Sequence, residues 1–222
     1  MINISLELTL IFYRFEEEMM TQIQTDSVIT NHLSICHALK EWAIAVKALE
    51  QGQTILLLRK GGIREEGGNF TVEHRQVLLY PTLEHQDSNL LKSDYTTQAQ
   101  TITAEHHCDQ IKMSSWANIT HIFSLKVPIA DSILSQLYPL HIWTTEWVNE
   151  RLNYKPNQPL YILLLRTYLL PQVLSIPYDS SYKGCRSWID LKQSISLENS
   201  SAVFSDSQYE QQVNQIQQIL AL

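Results

Sequence analysis

The feature that most constrains the fold is an apolar run that ends abruptly in a charged, glycine-rich segment. Residues 55–58 are Ile-Leu-Leu-Leu, Arg59 and Lys60 follow them, and four of the chain's six glycines lie between residues 61 and 68. The run predicts a buried strand, and glycine permits backbone conformations that other residues avoid. A buried strand that delivers two cations onto such a loop fixes their position, so we expect a functional site here.

The composition is typical of a globular protein. The 222 residues are 44% hydrophobic, which is ample for a core. The formal net charge of −7 excludes a basic surface over the whole molecule, so a nucleic-acid partner requires a local basic patch. The three cysteines are far apart in sequence, which predicts reduced thiols and a cytoplasmic protein. No segment has the roughly 20 apolar residues that span a bilayer, so we predict no membrane partner.

The order of elements predicts an α+β fold, a single domain of two helix-plus-strand halves with a mixed sheet and a C-terminal amphipathic helix. The predicted helices cover residues 37–50, 128–138, 144–152 and 206–220, and the predicted strands cover residues 54–59, 70–80, 121–127 and 160–170. Gly52 ends the first helix, and Pro81 and Pro171 each end a strand. The polar, aperiodic segment 93–115 predicts a surface insertion between the halves.

We divide the chain into three parts. Residues 1–30 are an N-terminal extension that is disordered or belongs to an over-extended start, and residues 31–195 are the α+β domain. Residues 196–222 are a linker and the C-terminal helix, which carries one apolar stripe and is compatible with docking or dimerisation. The sequence leaves the oligomeric state open.

Two segments of the chain echo each other. Glu41-Trp42 lies upstream of the apolar run that ends at Arg59, and Glu146-Trp147 lies upstream of a similar run that ends at Arg166. A duplication predicts that the two arginines occupy equivalent strand ends. Unrelated buried strands produce the same leucine-rich strings by chance, so both interpretations stay open.

The glycine-rich segment matches neither the Walker nor the dinucleotide-binding spacing. One interpretation is a tight hairpin with solvated charges. The other is an anion site in which Arg59, Lys60 and the amides of Gly61 and Gly62 bind phosphate. Arg64-Glu65-Glu66 superficially resembles the magnesium-binding motif of pyrophosphohydrolases, but the upstream glycine and glutamate of that motif are missing.

Carboxylates and imidazoles form a second group of candidates. Glu73-His74 and Glu84-His85 flank one predicted strand, and His74, Glu84 and His85 are the weak candidates for a divalent metal. An extended strand keeps its two ends apart, so a shared site needs a bend. Cys185 lies beside Arg186, which allows an activated thiol, although a small buried residue is the interpretation we favour because no histidine is close in sequence.

Four strings of residues together resemble a known family. They are Ala38-Leu39-Lys40-Glu41-Trp42, Leu58-Arg59-Lys60-Gly61-Gly62-Ile63-x-Glu65, Leu79-Tyr80-Pro81-Thr82-x-Glu84-His85-Gln86 and Gly184-Cys185-x-Ser187-Trp188. Over about residues 37–191 the chain resembles the bacterial, uncharacterised family called domain of unknown function 1802. Some members of that family are thought to occur beside a restriction-endonuclease domain, which implies a role in nucleic-acid processing or defence. The Asp and Glu-x-Lys pattern of nucleases is absent, which argues against intrinsic cleavage.

Three functional hypotheses follow. The first is a module that binds DNA or RNA through phosphate contacts of Arg59, Lys60, Gly61, Gly62, Arg166 and Arg186, with Trp188 stacking on a base. The second is an enzyme for a phosphorylated small molecule that uses Glu65, Glu84 and His85 as acid, base or metal ligands. The third is a protein-interaction domain. We predict no cofactor, and a divalent metal stays open.

Overall fold

The computed structural model describes residues 34–60, 72, 74–104 and 109–221. Seven strands are described: β1 Ser34–Trp42, β2 Leu56–Arg59, β3 Gln76–Thr82, β4 Gln110–Leu125, β5 Leu160–Pro177, β6 Trp188–Ser196 and β7 Ser201–Ala202. Five α-helices are described: α1 Ala43–Glu50, α2 Ser93–Ala104, α3 Asp131–Leu137, α4 Thr145–Asn153 and α5 Asp206–Ile219. Three short 3₁₀ turns connect them: Ser88–Leu90, Tyr138–Leu140 and Ser180–Tyr182. The predicted α+β fold with a mixed sheet is confirmed.

All seven strands belong to one sheet. Its strand order is β2-β5-β4-β3-β1-β6, and β7 pairs with β5. The pair β1 and β3 is parallel, with Trp42 opposite Thr82, and the other pairs are antiparallel. The ends of β1 and β3 therefore lie side by side, and β6 runs along the other side of β1.

The sheet is strongly curled. Arg59 ends the edge strand β2, and Glu41 lies in β1, with β5, β4 and β3 between the two strands in the sheet order. Neighbouring strands are about 4.8 Å apart, so a flat sheet would keep these residues roughly 19 Å apart. Their side chains are 2.5 Å apart instead. Register shifts in β4 and β5, between Met113 and Ser115 and between Ile119 and His121, are the kind of irregularity that bends strands.

Apolar side chains are buried on both faces of the sheet. In β3, Val77 and Leu79 belong to one core cluster, and Leu78 between them belongs to another. Helices α1, α4 and α5 contribute to the first cluster, and the turn at Tyr182 contributes to the second. Because successive strand residues point to opposite faces, a strand covered on both sides reads as a continuous apolar run.

Several sequence predictions are confirmed at the level of elements. Helix α4 begins after Thr144, whose side chain accepts a hydrogen bond from the Trp147 amide, and α5 occupies the predicted tail. Helix α1 ends at Glu50, and Gly52 terminates it, as predicted, in the left-handed conformation with φ 68°. The amide of Gly52 donates to the carbonyl of Leu49 and that of Gln53 to the carbonyl of Ala48, which is a Schellman arrangement.

The predicted first helix is half wrong. Residues 37–42 belong to β1, and the helix begins only at Ala43. Ala38 and Leu39 are both buried but belong to different core clusters, which is the pattern of a strand inside the protein. The spacing of Leu39, Trp42, Ala43 and Val46 therefore imitates a helix across the junction of two elements.

The polar segment 93–115 does not form an irregular insertion. It contains α2 and the first residues of β4, and Met113 and Ser115 are completely buried. The predicted strand ends at the prolines are also wrong, because β3 continues to Thr82 and β5 continues past Pro171 to Pro177. Pro81 pairs only with Glu41 of β1, and Pro171 lies where the register of β5 shifts between Leu169 and Leu174. Neither proline therefore has to donate to two neighbouring strands, and the strands continue past them.

The proposed duplication is not seen in the structure. Glu41-Trp42 lies in strand β1, whereas Glu146-Trp147 lies in helix α4. Arg59 ends β2, whereas Arg166 lies in the middle of β5. The two arginines are therefore not equivalent.

The apolar stripe of α5 faces the core of its own chain. Tyr209, Val213 and Ile216 are buried in the first core cluster. At its start, Ser205 accepts a hydrogen bond from the Gln208 amide, and the Gln208 side chain accepts one from the Ser205 amide, which is a capping box. Among the described residues, no helix is long and apolar enough to cross a membrane.

Candidate functional site

A cleft of about 380 Å³ lies where the ends of β1, β2 and β3 meet helix α4 and the turn before β6. It collects residues from all four strings that carry the family resemblance. The lining residues are Lys40, Glu41, Trp42, Leu58, Arg59, Lys60, Thr82, Glu84, His85, Trp147, Arg151, Tyr154, Gly184, Cys185, Arg186 and Ser187. Five of these side chains are cationic and two are carboxylates, so the lining carries a formal excess of three positive charges.

Lys40 organises one wall of the cleft. Its side chain is 5% exposed, and its Nζ donates to Glu84 Oε2 at 2.7 Å, to the carbonyl oxygen of Tyr182 at 2.9 Å and to that of Gly184 at 3.0 Å. An ammonium group has three hydrogens to donate, so these three acceptors satisfy it. Lys40 therefore ties β1 to the turn after β3 and to the turn before β6.

The pKa of Glu84 lies below its ordinary value. Burial alone would raise it, but the hydrogen bond and charge of Lys40, the Gly184 amide and the charge of His85 together outweigh burial. The Gly184 amide is 3.4 Å from Glu84 Oε1. Glu84 is therefore an ionised acceptor that joins two turns, and its pairing with Lys40 reduces its usefulness as a general base.

Arg59 and Lys60 form the floor of the cleft. Arg59 donates to Glu41 Oε2 at 2.5 Å, and both side chains are largely buried. Lys60 is 4% exposed and donates to the carbonyl of Leu152 at 2.7 Å, in the last turn of α4. Burial lowers the pKa of Lys60. These two cations hold the cleft together, since each already binds a group of the protein.

Arg151 and Arg186 are different. Arg186 is exposed, and within the described part of the chain neither guanidinium has a hydrogen-bond acceptor or an ion-pair partner. Arg151 lies over the ring of Trp147, 4.8 Å from its centroid. Burial lowers the pKa of Arg151, and the charge of Glu41 opposes that shift. Two guanidinium groups that face a cleft with unused donors are suited to an anionic ligand.

A thiol and an imidazole meet at the rim of the cleft. Cys185 Sγ is 3.3 Å from His85 Nε2, and both residues are exposed. The expectation that Cys185 is a small buried residue is therefore wrong. His85 follows Glu84, and Cys185 follows Gly184, so the contacts of Lys40 hold the two turns that carry the pair.

The structure brings together Arg59, Lys60, Glu84, His85 and Arg186 from the sequence-predicted site. It places the other described candidates elsewhere. Arg166 forms an ion pair with Asp206 and lies between the rings of Tyr168 and Tyr209, so it anchors α5. Trp188 is half-buried in β6 and does not line the cleft.

Three further predicted residues, Gly61, Gly62 and Glu65, lie outside the described residues. His74 precedes β3 and stacks on His37 with ring centroids 3.4 Å apart, whereas His85 follows β3 at its other end. The two histidines of the suggested metal set therefore do not converge, because all seven residues of β3 lie between them and each contacts a different residue.

Sequence reasoning missed Lys40, Glu41, Arg151 and Tyr154 as site residues. Lys40 and Glu41 were assigned to a helix, and a charged pair on a helix predicts a solvated face. Arg151 and Tyr154 belong to none of the four strings. The sequence signal for Lys40 and Glu41 is their position between the apolar residues Leu39 and Trp42, both of which are buried. Charged side chains inside a buried strand need partners, so they indicate a site.

A separate cluster of metal-ligand types lies at the start of β1. The ligand atoms of Cys36, His37 and Asp190 lie within 4.8 Å of one another, and His37 Nδ1 is 2.6 Å from Asp190 Oδ1. The register shift between Ile35 and His37 lets two consecutive residues approach one point. Thiolate, imidazole and carboxylate are zinc ligands, but the hydrogen bond between His37 and Asp190 already satisfies two of these groups.

Most of the chain is similar in sequence to a known protein family. The family model described as "Domain of unknown function (DUF1802)" matches residues 38–215. No curated protein matches the chain significantly. Among solved structures, a point mutant of the ZmASCH protein from Zymomonas mobilis is similar with a TM-score of 0.39 and 10% identity, covering 71% of this chain and 88% of that one. At that TM-score the likeness carries no argument about fold or function.

Proposed function

The chain belongs to the family described as Domain of unknown function (DUF1802), and we propose that it is a nucleic-acid-associated binding module whose cleft takes single-stranded DNA or RNA. The observation that carries the proposal is the concentration of five cationic side chains in one cleft of a chain with a net charge of −7. A positively charged cleft on a protein with a negative net charge attracts an anion to that cleft.

The phosphate-binding groups in this proposal are Arg151 and Arg186. Their guanidinium groups have no acceptor within the described residues, so a phosphate meets unused donors there. Arg59 and Lys60 add positive charge from below while keeping their contacts with Glu41 and Leu152. The phosphate contacts therefore come from the rim, and the floor contributes long-range attraction.

The size of the cleft favours a single strand. A volume of about 380 Å³ lies within the range of small-ligand sites and fits about one nucleotide unit, whereas a duplex is too wide to enter. Tyr154 is 39% exposed at the rim and offers a ring face on which a base can stack. Phosphate contacts and one stacking platform are the usual elements of recognition without sequence preference.

Fluorescence anisotropy of labelled oligo-dT, oligo-U and a duplex of equal length, each across a salt series, tests the proposal. We expect single strands to bind, with affinity that falls as salt rises, and the duplex to bind more weakly. Arg186→Ala removes one charged contact, so affinity for the single strand falls about tenfold. Lys112→Ala removes an exposed cation of β4 outside the cleft and is the matched control.

Two results would count against the proposal: no binding of any oligonucleotide at low salt, or equal losses for Arg186→Ala and Lys112→Ala. The second result would mean that the oligonucleotide is attracted by the surface charge in general and has no specific site in the cleft. Alkylation of Cys185, which lines the cleft, gives a further check. An oligonucleotide bound in the cleft slows this alkylation, and one bound elsewhere leaves it unchanged.

An enzyme that acts on a phosphorylated small molecule is the second candidate. It is favoured by the position of Glu84 and His85, two of its three proposed residues, in the cationic cleft; the third, Glu65, lies outside the described residues. It predicts that nucleoside phosphates or sugar phosphates, and not oligonucleotides, protect the protein against thermal unfolding. Calorimetric titration with inorganic phosphate, a nucleoside monophosphate and oligo-dT separates the two candidates.

A further inference from the structure

We propose that Cys185 is a nucleophilic thiol, with His85 as its proton acceptor, and that it reacts covalently with small anionic molecules that carry an electrophilic carbon. This inference concerns a chemical activity of the cleft. It goes beyond nucleic-acid binding and does not depend on it.

The geometry of the pair is the first argument. Cys185 Sγ and His85 Nε2 are 3.3 Å apart, which is hydrogen-bond distance for sulfur, and the residues are 100 positions apart in the sequence. A thiol within reach of an imidazole base is the arrangement that activates cysteine nucleophiles. Cys185 is exposed at the rim of a cleft, so an electrophile can reach the sulfur.

The backbone around the pair is held in uncommon conformations. His85 has a backbone φ of 61°, a left-handed value that residues other than glycine seldom adopt. Gly184 has a φ of 97°. The Gln86 amide donates to the carbonyl of Leu83 at 3.1 Å, and the Arg186 amide donates to the carbonyl of Gly184 at 2.8 Å. These turns aim the imidazole and the thiol at each other.

Lys40 and Glu84 position the pair without touching the reacting atoms. Lys40 binds the Glu84 carboxylate next to His85 and the Gly184 carbonyl next to Cys185. The Gly184 amide contacts Glu84 from the other side at 3.4 Å. A displacement of either turn would separate the sulfur from the nitrogen, so Lys40 and Glu84 are positioning residues.

The surroundings select the charge of the substrate. Arg186 follows Cys185 directly, and Arg151 and Lys60 line the same cleft. A carboxylate or phosphate on the electrophile binds the two arginines, while Lys60 adds long-range attraction. This binding brings the electrophilic carbon towards the sulfur. An anionic electrophile therefore reacts faster here than a neutral one of the same intrinsic reactivity.

The covalent step balances without any other reactant. The thiol proton moves to His85 Nε2, and the sulfur lone pair forms the S–C bond. The bond from that carbon to the leaving group breaks, and the leaving group departs with the bonding pair. The imidazolium then returns its proton to the leaving group or to water.

Iodoacetate and iodoacetamide test the proposal, because both alkylate through loss of iodide and only the first is anionic. The full-length protein is alkylated at about pH 7, and peptide mass spectrometry follows Cys185 and Cys36 separately. N-acetylcysteine provides the iodoacetate-to-iodoacetamide rate ratio of a free thiol. We expect the ratio at Cys185 to exceed that reference by about tenfold, and to approach it at high salt.

Two variants separate the parts of the proposal. Arg186→Ala lowers the iodoacetate rate at Cys185 more than the iodoacetamide rate, so the rate ratio falls. His85→Asn lowers both rates about tenfold or more, because it removes the base, and asparagine tolerates the left-handed backbone of residue 85. The rates at Cys36 in the same samples stay constant and report that the fold is intact.

A rate ratio at Cys185 equal to that of N-acetylcysteine would overturn the proposed charge selection. Unchanged alkylation rates in a folded His85→Asn protein would overturn the role of the imidazole. If His85→Asn fails to fold, His85→Gly takes its place in the same test, because glycine adopts φ 61° without strain. Unchanged alkylation rates in that variant would overturn the role of the imidazole. Oligonucleotide binding is measured separately, so the two proposals fail independently.

Discussion

Lys40 Nζ lies 2.7 Å from Glu84 Oε2, and this contact joins the last part of β1 to the turn that follows its parallel neighbour β3. Lys40 is buried, whereas the Glu84 side chain is 35% exposed. The same ammonium also donates to two carbonyl groups of the turn before β6. One side chain thus connects three separate parts of the chain around the cleft.

We expect Lys40→Met to lower the free energy of unfolding by about 3 kcal/mol, because it leaves a carboxylate and two carbonyl groups without their donor. It also slows alkylation of Cys185, since the turns that carry His85 and Cys185 are no longer tied. Urea unfolding gives the first quantity and peptide mass spectrometry the second.

Lys47→Met is the matched control for this substitution. Lys47 is 45% exposed and lies 3.8 Å from Glu50 on α1. Glu50 is 9% exposed, but its carboxylate keeps the hydrogen bonds that Ser114 and Ser115 donate, so loss of the long Lys47 contact lowers the free energy of unfolding by less than about 0.5 kcal/mol. If the two variants lose similar stability, the network around Lys40 does not have the structural role described above.

Stability should fall with decreasing pH because of His141. This residue is 3% exposed, and burial, followed by the charge of Lys92, lowers its pKa from 6.5 to about 3. Between these values the unfolded chain binds a proton that the folded protein does not. The contribution of neutral His141 to the free energy of unfolding is therefore fully present above about pH 6.5. Below that pH the free energy of unfolding falls by about 1.4 kcal/mol per pH unit.

His141→Phe removes this titration while keeping a buried ring near Trp143. We expect the free energies of unfolding in urea at about pH 7 and about pH 5.5 to differ by about 1.4 kcal/mol less in this variant than in the unmodified protein. An unchanged pH dependence in His141→Phe would show that other groups cause it.

Gly52→Ala should be costly for two reasons. Residue 52 has φ 68°, and an added Cβ would lie 2.8 Å from Cζ of Phe204. The left-handed backbone costs an L-residue about 1 kcal/mol, and the ring must also move. We expect a loss of about 2 kcal/mol in thermal or urea unfolding.

Gly184→Ala is the informative comparison. Residue 184 also has a positive φ, 97°, but an added Cβ there meets no atom within 4 Å. Its stability loss therefore contains backbone strain alone. A loss of no more than about 1 kcal/mol for Gly52→Ala, the cost of the left-handed backbone alone, would mean that Phe204 does not pack against Gly52 as described.

Helix α5 should behave as part of the core. Ile216 is 2% exposed, so Ile216→Ala lowers the free energy of unfolding by about 3 kcal/mol, the usual cost of a large-to-small change in a core. The exposed Gln215 gives the control Gln215→Ala, which changes stability by less than about 0.5 kcal/mol. Equal, small effects in both variants would place the apolar stripe outside the core and restore a docking role.

Sequence patterns predicted elements well where one signal dominated. The tail helix has a capping box and a regular apolar stripe, and Gly52 ends α1 because only a left-handed residue completes that cap. Prediction failed at the junction of β1 and α1, where Leu39 and Trp42 imitate helical spacing. Strand pairing decides such a region, and pairing partners are distant in sequence.

The candidate site was predictable only in part, for the same reason. Arg59, Lys60 and Arg186 could be chosen for their charge, yet nothing local indicates that Arg166 would pair with Asp206 instead of joining them. The sequence around Cys185 predicts a small buried residue, because no histidine is near it in the sequence. The structure supplies His85 from a hundred residues away.

That separation has a consequence for biosynthesis. His85 and Cys185 are 100 positions apart in the sequence. A nascent chain therefore cannot bring Nε2 and Sγ together until the segment before β6 has been made and docked on β1. Contacts of such long range form late, because closing a long loop precedes any gain from the contact. The reactivity of Cys185 thus reports that the turn after β3 and the segment before β6 have docked beside each other.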